Sequence, residues 1–178
     1  EEPATKEEVL VLFRDAAGLL QQAANAADAS AFQKDRDRAA VLAGVCLFFA
    51  ARFEESANLL EAAANAAASP ERREEAIWLA ILSLDRAVDG DRPSLASRRD
   101  RLATLYLEQF PASERAARLL IRRAGEGLIS DEQAAEILLG VSEGSPLYVS
   151  ARRYAARLLY RVWRGAGLAD RMRAARAF

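Results

Sequence analysis

Residue types that usually carry out catalysis are scarce in this chain of 178 residues. The chain contains no histidine, which removes the commonest general base, imidazole metal ligation and every nucleophile that a histidine activates. Its single cysteine, Cys46, lies between Val45 and Leu47 in a strongly apolar segment. A reactive thiol needs exposure and a cationic neighbour. We therefore interpret Cys46 as a packing residue.

Pairs of acidic residues are the next candidates for chemistry, because two carboxylates can act as general acid and general base. Each pair lies where a helix is expected to begin, and the helix dipole stabilises acidic residues there. The pairs are Glu54-Glu55, Glu74-Glu75 and Asp131-Glu132. The segment Gly125-Glu126-Gly127 lacks the Lys and Ser or Thr of a phosphate-binding loop. We expect no catalytic residue, no metal site, no cofactor and no enzymatic activity.

A stripe of arginines is the clearest feature of the charge pattern. Residues 1–110 contain 13 Lys and Arg against 19 Asp and Glu, whereas residues 111–178 contain 12 against 7, so the two parts have opposite charge. Near the end of the chain, arginines recur at i, i+4, i+8 and i+11 of a predicted helix, with a further arginine and two aromatic residues beside them. The candidate partner-binding residues are Arg152, Arg153, Arg157, Tyr160, Arg161, Trp163 and Arg164.

Two interpretations of this arginine stripe are open. Guanidinium groups bind carboxylates through paired hydrogen bonds and aromatic side chains anchor interfaces, so the stripe could bind an acidic peptide or protein. The alternative, which we favour, is a solvated face whose aromatic residues pack inward. A pI of about 5.7 and the lack of a nucleic-acid-binding motif argue against nucleic acid as a partner. The opposite charges also indicate self-association through the two ends.

Helices are predicted to carry all of these residues. Ala and Leu supply most of the apolar content, and aromatic residues make up only 7% of the chain, so residues that favour strands are few. About eight helices are expected, with a further short one over residues 168–178. The first is predicted over residues 5–27, where Thr5 and Glu8 fit a capping box. Ser130 and Gln133 fit another at a later helix start.

The segment from Val41 to Pro70 is predicted to form the central hairpin of two helices, and it resembles one tetratricopeptide repeat. Gly44 stands where that family places a small residue for close helix contact. The segment Phe53-Glu54-Glu55-Ser56 is similar to the start of the family's second helix. Prolines 70, 111 and 146 recur at spacings of 41 and 35 residues, and helical-hairpin repeats span about 34 to 47 residues.

The resemblance covers about residues 39–164 and implies a right-handed, all-α solenoid of antiparallel helix hairpins, forming one domain over residues 1–178. Segments that are apolar nearly all round, such as residues 41–51, need neighbours on two sides, which stacked hairpins or a closed helix bundle would both supply. The similarity of residues 106–116 to the "helix, Phe-Pro-x-Ser-x-x-Ala, helix" junction of bacterial envelope proteins in this family extends the resemblance.

The family implies a non-enzymatic scaffold that binds a protein or peptide in its groove. Two alternatives are an assembly or regulatory module of a larger multidomain or envelope protein, and an all-α enzyme domain that uses carboxylates and arginines. No apolar run reaches the roughly 18 residues of a membrane span. The single cysteine fits the cytoplasm or, after removal of a signal peptide, the periplasm.

Overall fold

The computed structural model describes residues 2–88 and 92–167. Over these ranges the protein is all-helical and contains no strand, which confirms the predicted all-α class. The eight α-helices are α1 (Glu7–Ala24), α2 (Gln33–Phe49), α3 (Phe53–Ala66), α4 (Pro70–Ala87), α5 (Pro93–Gln109), α6 (Glu114–Arg122), α7 (Asp131–Leu139) and α8 (Tyr148–Gly165), and a 3-10 turn, Ala29–Phe32, precedes α2. The short helix expected over residues 168–178 lies outside the described residues.

The chain divides into two compact units, an N-terminal unit (Glu1–Leu102) and a C-terminal unit (Ala103–Phe178). The boundary falls inside α5, so this helix contributes residues to both units. The expectation that the whole chain forms one repeat domain stays a prediction.

In the N-terminal unit each helix packs against the next one along the chain, from α1 to α4. Helix α4 buries residues on most of its surface, including Ile81 and Leu84, because its sequence is apolar on nearly all sides. A tight turn connects α2 to α3, with Ala51 in the left-handed region at a φ of 57°. The Arg52 N–H donates to the Leu47 carbonyl and the Ala51 N–H to that of Phe48, which is the pattern of a Schellman motif.

Helices α2 and α3 approach each other closely at Gly44. A Cβ atom at Gly44 would lie only 2.5 Å from Cγ of Leu60, and Leu60 itself is 1% exposed. A larger residue therefore requires the buried Leu60 side chain or one of the two helices to shift. The prediction that Gly44 lies at a helix contact is confirmed.

Buried hydroxyl groups join α2, α3 and α4 at the same level. The Ser56 hydroxyl donates to the Gly44 carbonyl at 2.7 Å, and its oxygen lies 2.9 Å from that of Ser83. The Ser83 hydroxyl is also 2.9 Å from the Leu79 carbonyl. Because the Ser56 proton is used on Gly44, the Ser83 hydroxyl donates either to Ser56 or to Leu79, and both serines are fully buried. Where an alanine would only fill space, Ser56 adds a polar link between helices.

The start of α1 differs from the prediction. The helix begins at Glu7 with Lys6 as its N-cap, and no side chain caps it, so the predicted capping box of Thr5 and Glu8 is wrong. Leu12 and Leu19 are 66% and 67% exposed. The apolar surface of α1 is therefore wider than the part that α2 covers.

In the C-terminal unit, α7 packs on α8, and α6 contacts both. Ser130 forms the predicted capping box with Gln133, because its hydroxyl accepts from the Gln133 N–H and the Gln133 side chain accepts from the Ser130 N–H. Gly125 and Gly127 both have positive φ between α6 and α7, a conformation that suits residues without a Cβ atom. The Gly125 N–H donates to the Tyr154 hydroxyl of α8 at 3.0 Å, which ties this turn to the last described helix.

Candidate functional site

Helix α8 has two chemically distinct sides. Its inner side consists of small and aliphatic residues, of which Ala151, Ala155 and Leu158 are buried. The helix contains five arginines and no acidic residue, so its positive charge is not compensated along its own length. The helical period sets both faces, since residues three and four positions apart share a side.

The outward face of α8, which we define by Arg153, Arg157, Tyr160 and Trp163, combines cations with aromatic rings. Arg153 and Arg157 are exposed, and neither has a carboxylate partner in the part of the chain that the structure describes. Tyr160 is 57% and Trp163 43% exposed. Their rings stack, with centroids 5.9 Å apart and planes 23° apart.

The interpretation in which these aromatic residues pack inward is wrong. Tyr160 and Trp163 follow Leu158 by two and five residues, which is about 200° and about 140° around a helix. Because Leu158 points into the unit, both rings must point away from it. The structure therefore shows aromatic residues and arginines side by side on the surface.

The remaining predicted residues are placed differently. Arg161 donates to the carboxylate of Asp131 on α7 at 2.6 Å, which ties α8 to its neighbour. The guanidinium of Arg152 lies 4.8 Å from the centroid of the Tyr148 ring, and its Nε is buried with no hydrogen-bond partner among the described residues. The guanidinium of Arg164 lies 6.0 Å from the Tyr160 ring centroid. Arg152 thus lies over Tyr148, apart from the arginine stripe, and Arg161 is already paired with Asp131.

A second surface feature of the C-terminal unit, which we call the acidic cleft, was not predicted. It has a volume of about 630 Å³ and lies between the end of α5, the turn before α6, α7 and the segment after α7. Its lining combines apolar residues with three glutamates and contains no Lys or Arg. The glutamates and larger apolar residues of its lining are Leu107, Glu108, Glu114, Ile129, Glu136, Ile137 and Val141.

The carboxylates stand at the rim of the acidic cleft, because all three glutamates are exposed while Leu107 and Val141 are buried. Glu114 pairs with Arg118 at 3.3 Å. Glu108 and Glu136 have no cationic partner within residues 2–88 and 92–167. Among the described residues, the cleft therefore combines an apolar interior with two glutamates that lack a cationic partner.

The acidic cleft and the outward face of α8 lie on different sides of the C-terminal unit. Helix α7 contributes Gln133, Glu136 and Ile137 to the cleft, whereas its small buried residues are on its other side. Since α7 packs on α8, this buried layer separates the part of the cleft that α7 lines from the middle of α8, while Ser145 of the lining adjoins the first turn of α8. Sequence reasoning missed the cleft because its three glutamates are spread over 28 residues, from Glu108 to Glu136, and share no spacing pattern.

Residues considered for catalysis do not form a reactive site. Burial raises the pKa of the Cys46 thiol, so the thiol stays protonated at neutral pH. This supports its interpretation as a packing residue. In the described ranges no three potential metal ligands come together. Among the same residues, no helix is both long and apolar enough to cross a bilayer.

No known protein family, no curated protein and no solved structure matches this chain. The resemblance to tetratricopeptide repeats therefore stays a prediction. Any functional conclusion has to be drawn from the geometry and charge of the two surfaces of the C-terminal unit.

Proposed function

We propose that this protein is a non-enzymatic helical scaffold that binds a protein or peptide partner through the outward face of α8. The observation that carries the proposal is the exposure of Arg153 and Arg157, without carboxylate partners among the described residues, beside the stacked rings of Tyr160 and Trp163. Arginine and large aromatic residues are the types most enriched at the energetic centres of protein interfaces.

The chemistry of this face favours an acidic partner. A guanidinium group can hold a carboxylate with two parallel hydrogen bonds, and such charge-assisted bonds are about twice as strong as neutral ones. The adjacent aromatic rings offer apolar area that a partner can cover at little cost in side-chain entropy. An acidic segment with an apolar residue would use both parts of the face.

For the architecture, we propose a right-handed solenoid of stacked helix hairpins. The consecutive packing of α1 to α4, the tight turn at Ala51 and the close helix contact at Gly44 support it. In such a fold each hairpin buries its apolar surface against the next one. The α8 face would then lie on the outer surface of the last described hairpin.

A second candidate function, an assembly module of a larger protein, is favoured by α1. Leu12 and Leu19 are exposed and seven residues apart, so they lie on one side of the helix and form an apolar strip. An adjoining helix of a partner or of a longer protein would cover such a strip.

The test is affinity capture from the source cells, followed by titration of each identified partner with purified protein. The doubly charge-reversed variant R153E/R157E should bind the partner at least about tenfold more weakly, since like charges would face each other. The control variant R38E/R101E changes the charge equally at two exposed arginines of the N-terminal unit and should bind like the wild type. Equal affinity of R153E/R157E and wild type would refute the proposal.

A further inference from the structure

We propose that a second copy of this chain is a partner of α8, and that the outward face of α8 docks into the acidic cleft of the next copy. This inference rests on the proposed function, because the same face makes the contact. It adds the identity of one partner and the surface that accepts the helix.

Charge complementarity is the first argument. Helix α8 has five arginines and no acid, whereas the lining of the acidic cleft has three glutamates and no Lys or Arg. On the outward face of α8, Arg153 and Arg157 have no ion-pair partner in the described ranges. At the rim of the cleft, Glu108 and Glu136 also have none. Docking would neutralise both surfaces in one contact.

The second argument is the match of apolar parts. Tyr160 lies three residues after Arg157 and seven after Arg153, so the three side chains share one strip of α8. Inside the cleft, Leu107, Ile129 and Val141 supply an apolar lining within about 630 Å³, a volume in the range of sites that enclose drug-sized ligands. With the Tyr160 ring inserted there, both arginines would stand at the rim, where the glutamates are.

The third argument concerns the symmetry of the assembly. The outward face of α8 points away from the side that packs on α7, so this face cannot fill the cleft of its own chain while α8 packs on α7. One copy can therefore place the outward face of its α8 in the cleft of a neighbour, while its own cleft binds the α8 face of another copy. Such head-to-tail contacts form a ring where the rotation closes and an open array where it does not.

The experiment is sedimentation velocity of the full chain over a range of protein and salt concentrations. The wild type should show an average mass that rises with protein concentration and falls as salt screens the charges. The cleft variant E108K/E136K and the helix variant R153E/R157E should each associate at least about tenfold more weakly. All four positions are exposed, and circular dichroism checks that the helices are retained.

Two further samples provide the control. The chain with all four substitutions, E108K/E136K/R153E/R157E, reverses every charge pair without removing one, so it should regain association to within about threefold of wild type. An equimolar mixture of the two doubly substituted variants should also associate, because each helix then meets a cleft of opposite charge.

Three results would overturn the inference: a wild type that stays monomeric at every concentration, a cleft variant that associates like the wild type, or a folded fourfold variant that stays monomeric. None of these decides the proposed function, which is measured separately by the loss of the captured partner from R153E/R157E. Conversely, restored association of the fourfold variant supports the cleft contact even where no other partner is captured.

Discussion

In the N-terminal unit, ion pairs join helices that are far apart in sequence, whereas the C-terminal unit leaves several charged side chains in solvent. Arg98 of α5 pairs with Glu61 of α3 at 2.8 Å, and Arg99 of α5 lies 3.7 Å from Asp85 of α4. In the C-terminal unit, only some charges are used in this way, as in the pair of Arg161 with Asp131. Both units leave some charged side chains in solvent, but the N-terminal unit joins distant helices through ion pairs, whereas the C-terminal unit presents exposed arginines beside stacked aromatic rings.

The apolar content of the helices explains this difference. The middle of α4, residues 76–84, is apolar on nearly all sides and needs neighbours around it, and the hydroxyl of the buried Ser83 there lies within hydrogen-bond distance of the Leu79 carbonyl. Helices α6 and α7 have nine residues each, which is too short for much independent stability. They are held by caps and by α8, and a cleft remains beside α7.

The largest change in the free energy of unfolding is expected from Gly44→Ala in the N-terminal unit. The new Cβ atom would meet Leu60 at 2.5 Å, and Leu60 is buried, so the free energy of unfolding should fall by about 1 to 3 kcal/mol. Urea denaturation followed by circular dichroism measures this change. The matched control is Gly18→Ala, where nothing lies within 4 Å of the new atom. Because alanine favours helices, this variant should gain about 0.5 to 1 kcal/mol. If both substitutions changed the free energy of unfolding in the same direction, the close contact at Gly44 would be contradicted.

A loss within the same range is expected from Asp37→Ala. Asp37 is 8% exposed and accepts hydrogen bonds from the Ala68 N–H at 3.1 Å and from Gln33 at 2.6 Å. Its removal leaves a half-buried backbone donor without its partner, and hydrogen bonds to charged groups contribute about 1.5 to 3 kcal/mol. Urea denaturation should therefore show a loss of about 2 kcal/mol. The control is Asp35→Ala, an exposed residue in the first turn of the same helix, which should cost a few tenths of a kcal/mol. Similar losses would show that Asp37 acts only through the helix dipole.

The smallest effect is expected from Ser130→Ala, and it should be local. Loss of an N-cap costs about 1 kcal/mol, and in a nine-residue helix this should appear as faster hydrogen exchange of the α7 amides. The same substitution at Ser69, which caps the 18-residue α4, should leave exchange in the middle of α4 nearly unchanged, because tertiary packing protects it. If the α7 amides of Ser130→Ala exchanged more slowly than the α4 amides of Ser69→Ala, the expected difference in local stability between the two units would be contradicted.

Much of the fold could be predicted from short-range patterns. The cap at Ser130 is present as predicted, since a hydroxyl that accepts a nearby backbone N–H depends on neighbouring residues alone. The capping box at Thr5 was wrong although its sequence pattern is similar. The sequence pattern is similar at Thr5 and at Ser130. The backbone geometry of the residues before each helix decides whether the cap forms.

The candidate site was predicted in part. The arginine spacing identified α8, and the helical period placed Arg153, Arg157 and Tyr160 on one side of it. The direction of Tyr160 and Trp163 required the structure, because an amphipathic helix with aromatic residues next to its polar stripe can be rotated either way. The burial of Ala151, Ala155 and Leu158 fixed that rotation.

The sequence by itself determined the all-helical class, the cap at Ser130 and the charge of α8, because each depends on residues within one or two turns of each other. Only the tertiary structure decided which carboxylates meet. Glu108, Glu114 and Glu136 come from three elements and form one rim, and Ser56 meets Ser83 from 27 positions away. Such contacts depend on how apolar surfaces are buried between helices, and burial is non-directional, so a linear pattern does not specify which residues it brings together.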